Sequence, residues 1–223
     1  MPNWESIEVI GFDLDNTLYP VTPEIDEVIQ NYIHEQSAAI LGIDFDEAKR
    51  RFDSYYRGGQ GLSGGKTLAA MGVQSERDIV QDALERADVA STLSPDPELV
   101  QFIDDLSQSF RSVDLLTGSS AEQTYAKIKA LGLIATQFGL IITADDLSKS
   151  TGEAYQAWLD HYHGLSAASF LYVGDRKRVD SDIPAELGIA TALVNTTAEP
   201  TAATPVYPDL ASFGYAVLSG RSS

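Results

Sequence analysis

Cysteine is missing altogether from this chain of 223 residues. That excludes disulfides, thiolate nucleophiles and thiolate-ligated metal sites, and it fits a reducing compartment. Basic residues are scarce too: 15 Lys and Arg stand against 33 Asp and Glu, for a formal net charge of −18 at pH 7. Such a surface repels nucleic acid polymers and anionic membranes, so neither is expected as a partner. No apolar run approaches the roughly 18 residues of a membrane span, and MPNWESIE carries no basic stretch leading into an apolar core. A cytoplasmic protein is expected, with oligomeric state left open. Of three histidines, His161 and His163 close a predicted helix before Gly164, where imidazole suits the dipole and nothing completes a zinc site.

With 43% hydrophobic residues, a sizeable core is available. The chain is organised around Val9-Ile10-Gly11-Phe12, a short strand with both faces apolar, followed by Asp13-Leu14-Asp15-Asn16-Thr17-Leu18-Tyr19-Pro20. Asp13 stands at the carboxyl end of that strand, where open α/β sheets gather their chemistry. Alternation along extended backbone lets Asp13 and Asp15 project to one side. Two like charges that close call for a bound cation, or for separate roles with one proton between them.

Beyond this stretch the pattern turns helical. Thr22 caps and Pro23 opens a helix over 23–40, and Asp44 with Glu47 reads as a capping box opening a helix through Arg57, stopped by Gly58 and Gly59. Further helical spacing covers 67–70, 76–87 and 97–106. No strand is predicted over 22–95, so this segment reads as an all-helical insertion. From Arg111 onward, strands over 113–116, 140–142, 170–173 and 191–194 alternate with helices over 121–131, 153–161 and 183–187, the pattern of βαβ units. The expected fold is α/β, a Rossmann-like doubly wound parallel sheet formed by 1–21 and 96–223, with a helical cap over 22–95 inserted in it. The Ser/Thr/Pro-rich segment 196–208 reads as loose.

Three more elements carry chemistry. Thr117-Gly118-Ser119-Ser120 places hydroxyls between a strand and a helix start, an anion-binding arrangement in which Thr117 adds a donor. Lys149 follows a third strand. Leu171-Tyr172-Val173-Gly174-Asp175 brings a further carboxylate to the same sheet edge, and oxygen ligands from two strands suit Mg²⁺. Arg176-Lys177-Arg178 beside it is the densest basic patch of an acidic chain; a solvated loop is the default reading, and drawing anions to the site is the alternative that its position beside Asp175 offers. The run GGQGLSGGKT is not a nucleotide P-loop, since Gln60 stands where a glycine is required.

Together these elements resemble the four motifs of the haloacid dehalogenase (HAD) superfamily. D-x-D-x-T-L from Asp13 resembles motif I, and Thr117 resembles motif II, with Gly118 where the family often has Asn. Lys149 with Glu153 and Tyr155 resembles motif III, with Ser150 and Gly152 replacing its prolines. G-D-x-x-x-x-D at Gly174, Asp175 and Asp180 resembles motif IV, and Asp182 is then read as the N-cap of the next helix. The resemblance implies a Mg²⁺-dependent phosphomonoester hydrolase working through an aspartyl-phosphate. In it Asp13 attacks phosphorus and Asp15 serves as acid, then base. Thr117, Gly118 and Lys149 bind the phosphoryl group. The metal lies at Asp13, the backbone carbonyl of Asp15, and Asp175, with Asp180 orienting. Asp15 separates the chain from the dehalogenases, which lack the second acid. DLDNTLYP and residues 55–62 are similar to the pyrimidine 5′-nucleotidase-like subgroup, implying a nucleoside 5′-monophosphate as the small-molecule phosphate monoester. A sugar phosphate or phosphoglycolate, or phosphomutase chemistry, are the alternatives.

Overall fold

Val9–Phe12 (β1) buries all four of its residues, as a strand without polar members must. The computed structural model describes residues 4–56, 64–75 and 78–221. Around β1 it forms a parallel sheet with Ser112–Leu116 (β2), Ile141–Ile142 (β3), Phe170–Gly174 (β4), Ala190–Val194 (β5) and Val206–Tyr207 (β6), in the order β3-β2-β1-β4-β5-β6. β1 is therefore central, flanked by β2 and β4 with Phe12 opposite Leu115 and Val173. Strand order reverses beside β1, and such a switch point opens a crevice at the carboxyl ends. Asp13 is the first residue into it.

The chain divides into two compact units, Thr22–Thr92 and the remainder. The helical unit contains Pro23–Leu41 (α1), Phe45–Tyr55 (α2), Gly64–Ala70 (α3) and Ile79–Arg86 (α4), and no strand among its described residues. Thr22 and Asp44 cap α1 and α2 as expected, although Glu47 turns to Arg50 and Arg51 instead of completing the box. Ile33, Phe52, Leu68, Ile79 and Ala83 form its core. Residues 57–63, including the end of the helix expected through Arg57 and most of the glycine-rich loop, lie outside the described residues, as do 76–77.

In the sheet unit the helices are Pro97–Ser109 (α5), Ala121–Ala130 (α6), Glu153–His161 (α7), Ile183–Glu186 (α8) and Leu210–Arg221 (α9). Three expectations need correction, and one helix is added. Segment 196–208 is not wholly loose, because Val206–Tyr207 pairs with Leu193 and Val194. Leu140 is not in β3; its N–H donates to the Asp114 carboxylate instead. A π-helical turn, Lys177–Asp182, precedes α8, and within it Asp182 is helical, offers no side-chain cap and pairs with Lys177. Finally, α9 had no counterpart in the sequence reading. No helix among the described residues is long and apolar enough to cross a membrane.

Candidate active site

Asp13, Lys149, Asp175 and Asp180 converge at the carboxyl ends of β1 and β4. Lys149 is buried, and its ammonium donates to Asp13 Oδ1 at 2.5 Å, to Asp180 Oδ1 at 2.9 Å and to the Tyr172 hydroxyl at 2.9 Å. All three of its N–H donors are thus in use. Tyr172 in turn donates to the Leu116 carbonyl, which ties the lysine to the end of β2.

Asp180 reaches the cluster because the π-helical turn folds back on β4. Its Oδ2 accepts the Arg176 N–H at 3.0 Å. A Cβ added at Gly174 would stand 2.4 Å from the Asp180 Cβ, so only glycine lets the carboxylate pack there. That close approach is the physical content of the Gly-Asp pair.

The carboxylates differ in state. Burial pushes Asp13 up to about 7, with repulsion from Asp180 adding to it and Lys149 opposing. Burial also raises Asp175, against a hydrogen bond from Asn16. Asp180 is equally buried, yet Lys149 and Arg176 outweigh the desolvation and hold it below the usual carboxylate range.

Asp13, Asp175 and Asp180 each offer an oxygen, all within 4.8 Å of one another. Among the described contacts, Asp13 Oδ2 accepts no hydrogen bond, and Asp175 Oδ1 has only Arg176, at 4.0 Å. Two uncommitted carboxylate oxygens beside a third acid fit a hard divalent cation. Asp180, with both oxygens engaged, fits an orienting position better than a ligating one.

Asp15 points elsewhere. Its Oδ1 accepts from Lys127 Nζ at 2.6 Å and from the Tyr19 hydroxyl, and its Oδ2 from Ser119 Oγ at 2.7 Å. Burial would raise this carboxyl, but the Lys127 charge and these donors prevail and hold it low. Its carboxylate takes no part in the acidic cluster.

Thr117 stands just past β2, buried, its hydroxyl accepting the Ser119 N–H at 3.1 Å. Gly118 follows at the open side, with Arg176 as its described neighbour. Asn16 and Asn195, both left-handed at φ 56° and 50°, exchange side-chain to backbone hydrogen bonds, and Asn16 also donates to Asp175 Oδ2 at 2.9 Å. They brace Asp175.

Lys127, Tyr19, Asn16 and Asn195 were not singled out from sequence. Only Lys127 left a signal: Thr124, Lys127 and Ile128 share the buried face of α6, so a lysine stands among inward positions. A cavity of about 680 Å³ lies behind motif I, lined by Leu18, Pro20, Phe102, Leu210 and Leu218 among others; it contains none of the acidic cluster.

A family model described as haloacid dehalogenase-like hydrolase matches residues 7–188. A protein named glyceraldehyde 3-phosphate phosphatase from Methanocaldococcus jannaschii is 29% identical over 198 residues, covering 84% of this chain and 85% of that protein. Among solved structures, a HAD phosphatase from Thermococcus onnurineus superposes with TM-score 0.63 at 20% identity, over 96% of this chain and 99% of that one. The HAD-hydrolase YfnB from Bacillus subtilis, bound to magnesium, does so with TM-score 0.57 at 16% identity, over 95% and 98%.

Proposed function

The chain belongs to the haloacid dehalogenase-like hydrolase family, and on that premise we propose that it is a Mg²⁺-dependent phosphomonoester hydrolase acting on a small phosphorylated metabolite. The observation that carries this reading is the pair Asp13 and Asp15. One residue apart, they occupy opposite settings: Asp13 beside two further acids, Asp15 locked to Lys127. Paired carboxylates pushed apart in this way take different roles.

Mg²⁺ held by Asp13, the Asp15 backbone carbonyl and Asp175 would neutralise phosphoryl charge and favour the ionised form of Asp13. Lys149 fixes the Asp13 carboxylate through Oδ1, so that it approaches phosphorus in one orientation. A bond forms between this carboxylate and phosphorus as the bond to the leaving oxygen breaks. Asp15 protonates that oxygen and then takes the proton of the water that hydrolyses the aspartyl-phosphate. Its basic half is prepared at rest by Lys127. Its acid half requires a proton on a carboxylate stabilised as the anion, so esters whose leaving group needs no proton should turn over faster.

A small sugar phosphate is the favoured substrate. The name of the archaeal relative supports it, while the nucleotide reading loses one of its supports. Tyr55 and Tyr56, the aromatic side chains of the 55–62 stretch that could stack on a base, pack against the helical unit's core, with the Tyr56 ring 4.8 Å from that of Phe52. The remainder of that stretch, 57–62, lies outside the described residues. The test is kcat/KM, with and without Mg²⁺, for glyceraldehyde 3-phosphate and other sugar phosphates against phosphoglycolate, UMP, CMP and AMP. Preference for UMP or CMP would restore the nucleotidase reading, and no Mg²⁺-dependent turnover of any ester would refute the phosphatase.

A further inference from the structure

Among the described residues the site has three cations, and their hydrogen bonds are unequally spent. Lys149 has given its three donors to Asp13, Asp180 and Tyr172. Lys127 is buried and committed to Asp15 and Ser119. Arg176 differs: its Nε faces Asp180 Oδ2 at 3.5 Å and Asp175 Oδ1 at 4.0 Å, while its Nη atoms have no hydrogen-bond partner among the described residues. Its side chain is 43% exposed, open to an incoming anion. The other two members of the basic patch point away, Lys177 to Asp182 at 2.6 Å and Arg178 to Glu186 at 3.2 Å.

The guanidinium also has a telling neighbour. A Cβ built on Gly118 meets one atom within 4 Å, the Arg176 Nη2 at 3.8 Å. Position 118 is where the motif it resembles often carries Asn, a side chain with an amide donor. Here that amide is missing, and an arginine fork from another strand end lies over the glycine.

We propose that Arg176 binds the phosphoryl oxygens of the substrate, its guanidinium occupying the space over Gly118 that an asparagine side chain would fill. The inference rests on the phosphatase reading and names the residue that supplies its phosphate affinity. A planar fork suits two phosphoryl oxygens at once. It also supplies the local positive charge that a chain of net charge −18 needs in order to hold a dianion.

The test is calorimetric titration of the Mg²⁺-loaded protein with inorganic phosphate, alongside titration of the metal-free protein with Mg²⁺. Arg176→Gln is expected to weaken phosphate binding about tenfold. Mg²⁺ affinity should hold or rise, because a positive charge leaves the vicinity of Asp175 and Asp180. Adding Gly118→Asn to Arg176→Gln should recover about threefold, an amide donor entering the vacated space. Should Arg176→Gln fail to fold, Arg176→Lys carries the test, since it keeps the charge and loses the fork; a fall of about threefold is expected.

Phosphate affinity within about twofold of the parent in these single variants would overturn the proposal. So would phosphate and Mg²⁺ affinities falling together, the mark of a collapsed scaffold, or a parent that binds no phosphate. Failure of Gly118→Asn to recover any affinity overturns its spatial half. Ester turnover by the parent, scored separately, tests the phosphatase reading alone.

Discussion

Asp13 is the residue on which both chemistry and stability turn. Its carboxyl is pushed up to about 7 from 3.8, so between those values the native metal-free protein binds a proton that the unfolded chain does not. Its contribution to stability therefore falls as pH rises from about 4 to about 7, and the raised carboxyls of Asp175 and Asp114 act in the same sense. Asp180, held low, acts in the opposite sense and only below its ordinary range, where its contribution is lost as pH falls. Asp13→Asn should abolish turnover and make the slope between about pH 4 and 7 shallower in denaturant titrations without metal. An unchanged slope would mean that Asp13 is not the group responsible. Lys127 makes a second residue-scale prediction. Lys127→Met removes the cation that holds Asp15 low, so the acid limb of the kcat profile should move up by about one pH unit, with aspartyl-phosphate accumulating near neutrality. A profile superposable on the parent would exclude Lys127 from setting the base. At this scale the sequence revealed the acids, since carboxylates ending apolar strands stand out, and hid the partners. Asn16 and Asn195 meet across 179 residues, a contact that no local pattern announces.

Elements were legible in proportion to their length and periodicity. β1, β2, β4 and β5 stood out as apolar runs and α1, α5, α6 and α7 as spaced ones, whereas β6 has two residues and no run to recognise. α9 went unseen because LASFGYAVLSGR lacks the charged face that marks a surface helix and contains two glycines. The fold explains one of them: a Cβ on Gly214 would stand 2.7 Å from the Phe102 ring of α5. Asp114 is the other concealed element-scale feature, a fully buried carboxylate in β2 that reads as an ordinary strand residue. Its oxygens accept from Ser112, the Leu140 N–H, Tyr162 and Trp158 Nε1, which joins β2 to the start of β3 and to α7. Burial raises its carboxyl against those donors. Asp114→Ala would orphan several buried groups and should cost on the order of 3 kcal/mol in chemical denaturation. Asp114→Asn should cost less, and both should keep turnover per folded molecule, because none of these atoms reaches Asp13. A loss of activity without a loss of stability would place Asp114 in the site instead.

For the whole molecule, a net charge of −18 works against gathering acids in one place, and the Asp13, Asp175 and Asp180 cluster does so among the described residues. Mg²⁺ should therefore stabilise the native state by preferential binding, with a larger rise in Tm near pH 8 than near pH 5, where Asp13 keeps its proton. Equal shifts at both pH values, or none after chelation, would contradict the cation site. The central claim is that this site transfers a phosphoryl group to Asp13. The most direct measurement is a single turnover of an aryl phosphate with Mg²⁺, quenched in acid, followed by mass spectrometry of the peptide spanning β1 and motif I. The account predicts a phosphoryl adduct on Asp13 that is absent from Asp13→Asn and absent without metal. Turnover with no adduct on that peptide at any quench time, or Asp13→Asn turning over at the parent rate, would contradict it.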